Sequence, residues 1–127
     1  MRTSQLFSPQ PPSVRLVRSF VREAIAARTD DPEVLDAAVL LASELATNVV
    51  DHARTPFTVE VTVEEAAARF EVSDGSSVAP AVRDLLDGDE RGRGLRILDA
   101  LATEWGVSSS DSGKAVWFSI SLAPRRS

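Results

Sequence analysis

The spacing of apolar residues changes from helical to strictly alternating at Phe57, and this change constrains the fold more than any other feature of the chain. Before Phe57, apolar residues recur every three or four positions, which predicts one helix over residues 13–28 and a second over residues 32–52. After it, apolar and polar residues alternate up to residue 64, and the alternation restarts over residues 68–73. These stretches predict an antiparallel hairpin of half-buried strands, so helices must pack against a sheet.

The ends of the two predicted helices carry capping signals. Ser13 suits the N-cap of the first helix, and the turn over residues 29–31 offers a cap before Pro32, which favours the first position of the second helix. Upstream, Leu6 and Phe7 are expected to form a short edge strand, where the neighbouring prolines are tolerated.

The C-terminal half predicts a loop, a third helix and two more strands. Four of the six glycines lie within residues 75–94, which indicates a loop containing at most one short helix, over residues 82–86. The elements after it are a helix starting at Leu95, a strand around residues 105–107 and a last strand over residues 115–122. The predicted fold is an α/β two-layer sandwich with a mixed, mainly antiparallel sheet and helices on one face. At this length we expect one domain over residues 1–127, with its core over about residues 6–122.

Composition excludes several classes of function. The chain has no cysteine and one histidine, which excludes thiolate and multi-histidine metal sites but permits a hard cation held by oxygens. A net charge of -5 opposes the phosphate neutralisation that DNA binding needs, so no direct nucleic-acid partner is expected. We expect no membrane association and a cytoplasmic location, because no apolar run is long enough to span a bilayer and the N-terminus lacks the apolar stretch of a signal peptide.

A polar stripe interrupts the apolar second helix. Glu44, Asn48 and His52 are spaced four residues apart, so they lie along one side of the helix. The oxygens of a carboxylate and an amide suit Mg²⁺, and a carboxylate one turn from a metal ligand can also accept a proton. The same spacing also occurs along an ordinary solvated helix edge.

Three further segments stand out from the pattern. Asp74 and Gly75 end a strand, Gly113 and Lys114 open another, and the loop before the third helix consists of Arg91, Gly92, Arg93, Gly94 and Leu95. A glycine-rich loop that enters a helix presents backbone N–H groups to an anion such as phosphate. Taken singly, each segment also fits a plain turn, an exposed lysine or a helix entry. A serine-nucleophile hydrolase is not expected, because the sequence indicates no partner base for any serine and contains no nucleophile elbow.

Taken together, four segments resemble the conserved boxes of the GHKL ATPase superfamily, which includes gyrase, heat-shock chaperones and histidine kinases. ASELATNVVDHA at 42–53 resembles the N box, and VSDGSSVAP at 72–80, GRGLRIL at 92–98 and GKAVWFSI at 113–120 resemble the three glycine boxes. The likeness spans about residues 6–122 and is closest to the small bacterial anti-sigma-factor serine/threonine kinases. It implies the Bergerat fold of that superfamily.

The resemblance also implies a role for individual residues. Glu44 matches the general base, Asn48 the Mg²⁺ ligand and Asp74 the carboxylate that accepts a hydrogen bond from the adenine amino group. Such a carboxylate predicts that ATP is preferred over GTP. The residues that the resemblance assigns to nucleotide binding are Asn48, His52, Asp74, Gly75, Arg91, Gly92, Arg93, Gly94, Leu95 and Lys114.

The first glycine box departs from the superfamily pattern Asp-x-Gly-x-Gly. Gly75 directly follows Asp74, and Ser76 and Val78 occupy the later glycine positions. The charged lid between Pro80 and Gly92 is also short.

The resemblance therefore implies an ATP- and Mg²⁺-binding regulator that phosphorylates a Ser or Thr of a small anti-sigma antagonist protein and can sequester a sigma factor. An alternative is a nucleotide-gated binding module without phosphotransfer. A third interpretation, a scaffold that no longer binds ATP, conflicts with the presence of all four boxes. The expected partners are the antagonist, a sigma factor or both, and a homodimer is compatible with each interpretation.

Overall fold

Helices and strands occur along the chain in the order that the hydrophobic pattern predicts. The computed structural model describes residues 1–75, 101–110 and 113–122, with the main chain alone at residues 109 and 110. Within these residues the elements are β1 (Arg2–Phe7), α1 (Pro12–Ala26), α2 (Pro32–Asn48), a π-helical turn (Val49–Ala53), β2 (Phe57–Val63), β3 (Ala67–Asp74), β4 (Glu104–Ser110) and β5 (Gly113–Ser121). The predicted helices over residues 82–86 and from Leu95 onward lie outside the described residues, apart from the helical Leu101.

The five described strands form one sheet in the order β1-β2-β3-β5-β4. All four neighbouring pairs are antiparallel, so the α/β fold class is confirmed, and over the described residues the sheet is antiparallel rather than mixed. The central strand β3 pairs on one side with its hairpin partner β2 and on the other with β5, which comes from the far end of the chain.

The core lies between the sheet and the two helices. Alternate residues of β2, β3 and β5 are buried on the face toward the helices, and Phe70 and Phe118 stack there with ring centroids 4.7 Å apart. Helix α1 buries Val17, Val21 and Ile25, at the spacing that the sequence predicts. Because α2 contributes mainly small and aliphatic residues, it packs closely over β3 and β5.

Both helix starts use proline, but only one uses the predicted cap. Asp31 caps α2 as expected, because its carboxylate accepts a hydrogen bond of 3.0 Å from the Glu33 amide. The assignment of Ser13 as N-cap is wrong: α1 begins one residue earlier, at Pro12, and Ser13 is buried in its first turn. The hydroxyl of Ser13 lies 3.1 Å from that of Ser8 instead.

The second helix does not continue in α geometry to residue 52. It is α-helical to Asn48 and then widens into the π-helical turn, which ends at Arg54 in a left-handed conformation with φ 57°. The Arg54 amide donates to the Val49 carbonyl at 2.8 Å and closes this wider turn. Hydrophobic spacing does not distinguish one π-turn from one α-turn, so the sequence could not predict it.

Candidate nucleotide site

Strand pairing brings the start of β2, the end of β3 and the start of β5 to one end of the sheet. Phe57, the first residue of β2, pairs with Asp74 at the end of β3, and Asp74 pairs with Lys114 at the start of β5. The π-helical turn lies only a few residues before Phe57, so the C-terminal end of α2 reaches the same end of the sheet. Helix α2, which carries the first two residues of the polar stripe, packs over β3 and β5, the strands that carry Asp74 and Lys114.

A buried ion pair lies at the centre of this region. The ammonium Nζ of Lys114 is 3.6 Å from Oδ1 of Asp74, and the two side chains are 1% and 4% exposed. Both residues fall on the helix-facing side of the sheet, at positions that continue the buried alternation of β3 and β5. A buried charge needs a charged or hydrogen-bonding partner, so each of the two residues helps to compensate the cost of burying the other.

Glycine at position 113 allows the two strands to come together here. Gly113 has φ 144°, a conformation that side chains rarely adopt, and a Cβ at this position would overlap the backbone oxygen of Asp74. The predicted turn at Gly113 and Lys114 therefore opens β5, which lies directly beside the end of β3 in the sheet. Lys114, whose role the sequence left open, is a buried charge partner rather than an exposed lysine.

Thr55 is a member of this region that the sequence did not indicate. Its hydroxyl accepts a hydrogen bond of 3.3 Å from the Gly75 amide and so ties the end of β3 to the segment that follows the π-helical turn. Gly75 is exposed, and no atom lies within 4 Å of the position its Cβ would occupy. A threonine in a connection of this kind carries no spacing signal, so only the folded structure identifies it.

The predicted polar stripe is half-buried along α2 and the π-helical turn. Glu44, Asn48 and His52 are each intermediate in exposure, whereas the adjacent Thr47 is exposed and donates back to the Ser43 carbonyl at 2.7 Å. The π-helical turn lies between Asn48 and Arg54, so His52 is positioned by π rather than α geometry. Single π-turns within helices often occur at functional sites.

The donor groups in this region suit a magnesium nucleotide. Within the described residues, no three histidine, aspartate or glutamate side chains cluster as a metal cage would require. Mg²⁺ rarely needs such a cage, because it keeps several waters and takes one or two protein oxygens together with phosphate oxygens. Asn48 and Glu44 can supply those oxygens, and the buried Asp74 can accept from a base.

The predicted glycine-rich phosphate loop is not among the residues that the structure describes. Arg91, Gly92, Arg93, Gly94 and Leu95 lie outside the described residues, so their assignment to phosphate binding stays a prediction.

An open concave surface lies at the connection between α1 and α2. This open groove is lined by residues 26–34 together with Leu122. It contains Asp30, Asp31 and Glu33, whose negative charges oppose a triphosphate. The α2 and β3 region is therefore the better candidate for a nucleotide.

Comparison with known proteins shows the family to which the chain belongs. The chain belongs to the family of histidine kinase-like ATPase domains, whose pattern matches residues 7–120 and so spans every described residue of the candidate site. Over 82 residues the chain is 42% identical to an uncharacterised protein of Streptomyces coelicolor, an alignment that covers 58% of this chain and 75% of that protein. The predicted membership of the GHKL superfamily is confirmed. None of the helices among the described residues is long and apolar enough to cross a membrane.

Proposed function

We propose that this chain binds Mg-ATP between α2 and the ends of β3 and β5 and transfers the γ-phosphoryl group to a Ser or Thr of a small anti-sigma antagonist protein. The observation that carries the proposal is the buried pair of Asp74 and Lys114 at the end of the sheet, on the two strands over which α2 packs. Membership of the histidine kinase-like ATPase family supports the ATP-dependent part. The serine/threonine specificity, the antagonist and the cytoplasmic sigma-factor partner rest on the resemblance described above.

Each residue of the site has a distinct part in this reaction. Bound Mg-ATP supplies the phosphoryl group and a cation that neutralises charge on the phosphates. Asn48 offers an amide oxygen to the cation, and Asp74 accepts a hydrogen bond from the adenine amino group. Glu44 accepts the proton of the substrate hydroxyl as the oxygen of that hydroxyl bonds to the γ-phosphorus, while the bond from the γ-phosphorus to the bridging β-phosphate oxygen breaks and ADP leaves. Since Glu44 is half-buried rather than enclosed, a partner protein can approach it.

The alternative is a nucleotide-gated binding module in which ATP changes affinity for a partner without phosphotransfer. The altered first glycine box favours it, because the segment after Asp74 lacks the later glycines that give the superfamily loop its freedom. The two functions share the nucleotide site and differ only in the fate of the γ-phosphate.

Phosphotransfer with γ-labelled ATP tests the proposal. The purified chain is incubated with Mg²⁺, labelled ATP and small candidate antagonists encoded near its gene, alongside Glu44→Gln and, as a matched control, Glu23→Gln on the exposed side of α1. We expect label on one antagonist, a loss of about 10² to 10⁴ in rate for Glu44→Gln with ATP still bound, and no loss for Glu23→Gln. Binding of ATP with no label on any antagonist would select the binding module instead.

A further inference from the structure

The face of the sheet opposite the two helices carries side chains that the nucleotide site does not use. Alternate strand residues are buried toward α1 and α2, and the residues between them form what we call the open face. Among the residues that the structure describes, both helices pack on the other face. On the last three strands the open face is small, polar or charged, apart from Trp117 in β5.

Trp117 is held in place on the open face and is only partly buried. Its indole lies over Gly106 of β4, where a Cβ would come within 2.7 Å of the indole Nε1. The guanidinium of Arg69 lies over the ring, 4.3 Å from its centroid, and pairs with Glu71 at 3.3 Å. The side chains of Arg69 and Glu71 are 47% and 33% exposed, so another molecule can reach both. Tryptophan and arginine often dominate the binding energy of protein interfaces.

Strand register arranges the charges of the open face in two neighbouring rows that run across the strands. The first, the glutamate row, consists of Ser4, Glu60, Glu71, Trp117 and Gly106. The second, the arginine row, consists of Arg2, Thr62, Arg69, Ser119 and Glu104. Apart from Glu104 on the outer strand β4, all charges of one row are negative and all charges of the other are positive.

Two neighbouring rows of opposite charge make the open face complementary to a second copy of itself. In a twofold-symmetric pair, any contact of one residue with another is repeated with the two copies exchanged. A twofold axis that runs between the rows lays the arginine row of each copy over the glutamate row of the other. Arg69 then faces the second copy's Glu71, and Trp117 faces the second copy's Ser119. Opposite charges meet, and the largest side chain of the face meets a small one.

The contacts within one chain leave capacity for these contacts between chains. Arg69 donates from Nη2 to Oε1 of Glu71, and Ser73 donates to Oε2 at 3.4 Å. A guanidinium has five N–H donors, and each carboxylate oxygen accepts two hydrogen bonds. A second arginine therefore adds to the existing pair and does not need to replace it.

We propose that this chain forms a homodimer through the open face, with the twofold axis between the glutamate row and the arginine row. Asp74 and Lys114 face the helices, so the dimer interface and the proposed nucleotide site lie on opposite faces of the sheet. The inference does not depend on the proposed function.

The mass of the unaltered chain in solution is the first test. Sedimentation equilibrium should give twice the mass of one chain, with a dissociation constant of about 10 μM or lower. A chain that stays monomeric at about 100 μM would overturn the proposal and leave the open face to solvent or to a different protein.

Charge reversal tests the geometry of the dimer. Glu71→Arg places two arginines at the axis, and Arg69→Glu places two glutamates there, so like charges meet in either homodimer. We expect each single variant to raise the dissociation constant of the dimer by about tenfold or more. The double variant Arg69→Glu with Glu71→Arg restores opposite charges within and between chains and should dimerise as the unaltered chain does. Dimers of unchanged affinity in both single variants would overturn the proposed interface.

Mixing the two single variants separates contacts between chains from contacts within one chain. Each Arg69 or Glu71→Arg side chain of one variant then faces a glutamate of the other, so the mixture should form a heterodimer although neither variant associates alone. Arg22→Glu, on the exposed side of α1, is the control and should leave the dimer intact. Circular dichroism establishes that the variants are folded. A mixture of folded variants that stays monomeric would contradict the proposed axis.

Discussion

At the scale of single residues, the contact between Asp74 and Lys114 dominates the energetics of the site. Each charge loses its hydration on burial, and the opposite charge beside it offsets part of that loss. Every buried side-chain nitrogen and oxygen within the described part of the chain has a hydrogen-bond partner. The free energy of unfolding should therefore fall strongly when one member of the pair is removed and much less when both are removed.

Removing one charge should cost far more stability than removing both. Lys114→Met leaves a buried carboxylate without its partner, and we expect a loss of about 3–5 kcal/mol in the free energy of unfolding measured with urea. The double variant Asp74→Asn with Lys114→Met should recover most of that loss, because no unpaired charge remains.

An exposed ion pair provides the control for this comparison. Arg22 and Asp36 lie 3.4 Å apart between α1 and α2, and both side chains are at least half exposed. Arg22→Ala should change the free energy of unfolding by less than about 1 kcal/mol, because water screens this pair. A loss as small as this for Lys114→Met would show that its ammonium is not buried as described.

At the scale of elements, the site depends on how closely β5 approaches the end of β3. Gly113→Ala would force a Cβ into the backbone oxygen of Asp74 and would also strain φ at 144°. We expect loss of stability and of nucleotide binding together, because the register that places Lys114 beside Asp74 must shift. Urea denaturation and nucleotide titration of the same sample measure both effects.

Gly75→Ala is the matched control, because its Cβ would meet no atom within 4 Å. Its stability should stay within about 0.5 kcal/mol of the wild type. Equal losses of stability in the two variants would contradict the close approach of residue 113 to the backbone oxygen of Asp74.

Also at this scale, local hydrophobic patterns predicted most of the helices and strands, but they could not predict contacts between segments that are distant in the chain. The alternation after Phe57 and the helical spacing of α1 depend on neighbouring residues, so the sequence carries them directly. The contact of Lys114 with Asp74 depends on the pairing of β3 with β5, which are far apart in the chain. The start of α1 at Pro12 and the π-helical turn were missed, because several local geometries satisfy the same pattern.

At the scale of the whole molecule, the topology assembles the site and the sequence motifs indicate its chemistry. The strand order places β5 beside β3, although the two strands are far apart in the chain, and so brings the last glycine box beside the first. This region is formed by α2, by the segment between the π-helical turn and β2, and by the strands β3 and β5. The four boxes could be recognised from the sequence, but the contact between the first and last glycine boxes follows only from the strand order.

The most direct test of this location is calorimetric titration of Mg-ATP into the wild type and Asn48→Ala. Asn48 lies at the end of α2, where its amide oxygen is expected to hold the cation, and its neighbour Thr47 is exposed and bonded back to Ser43. We predict saturable binding that requires Mg²⁺, a loss of most of the affinity in Asn48→Ala, about tenfold or more, and little change in the control Thr47→Ala. Equal Mg-ATP affinity in the wild type and Asn48→Ala would contradict a nucleotide site at the end of α2.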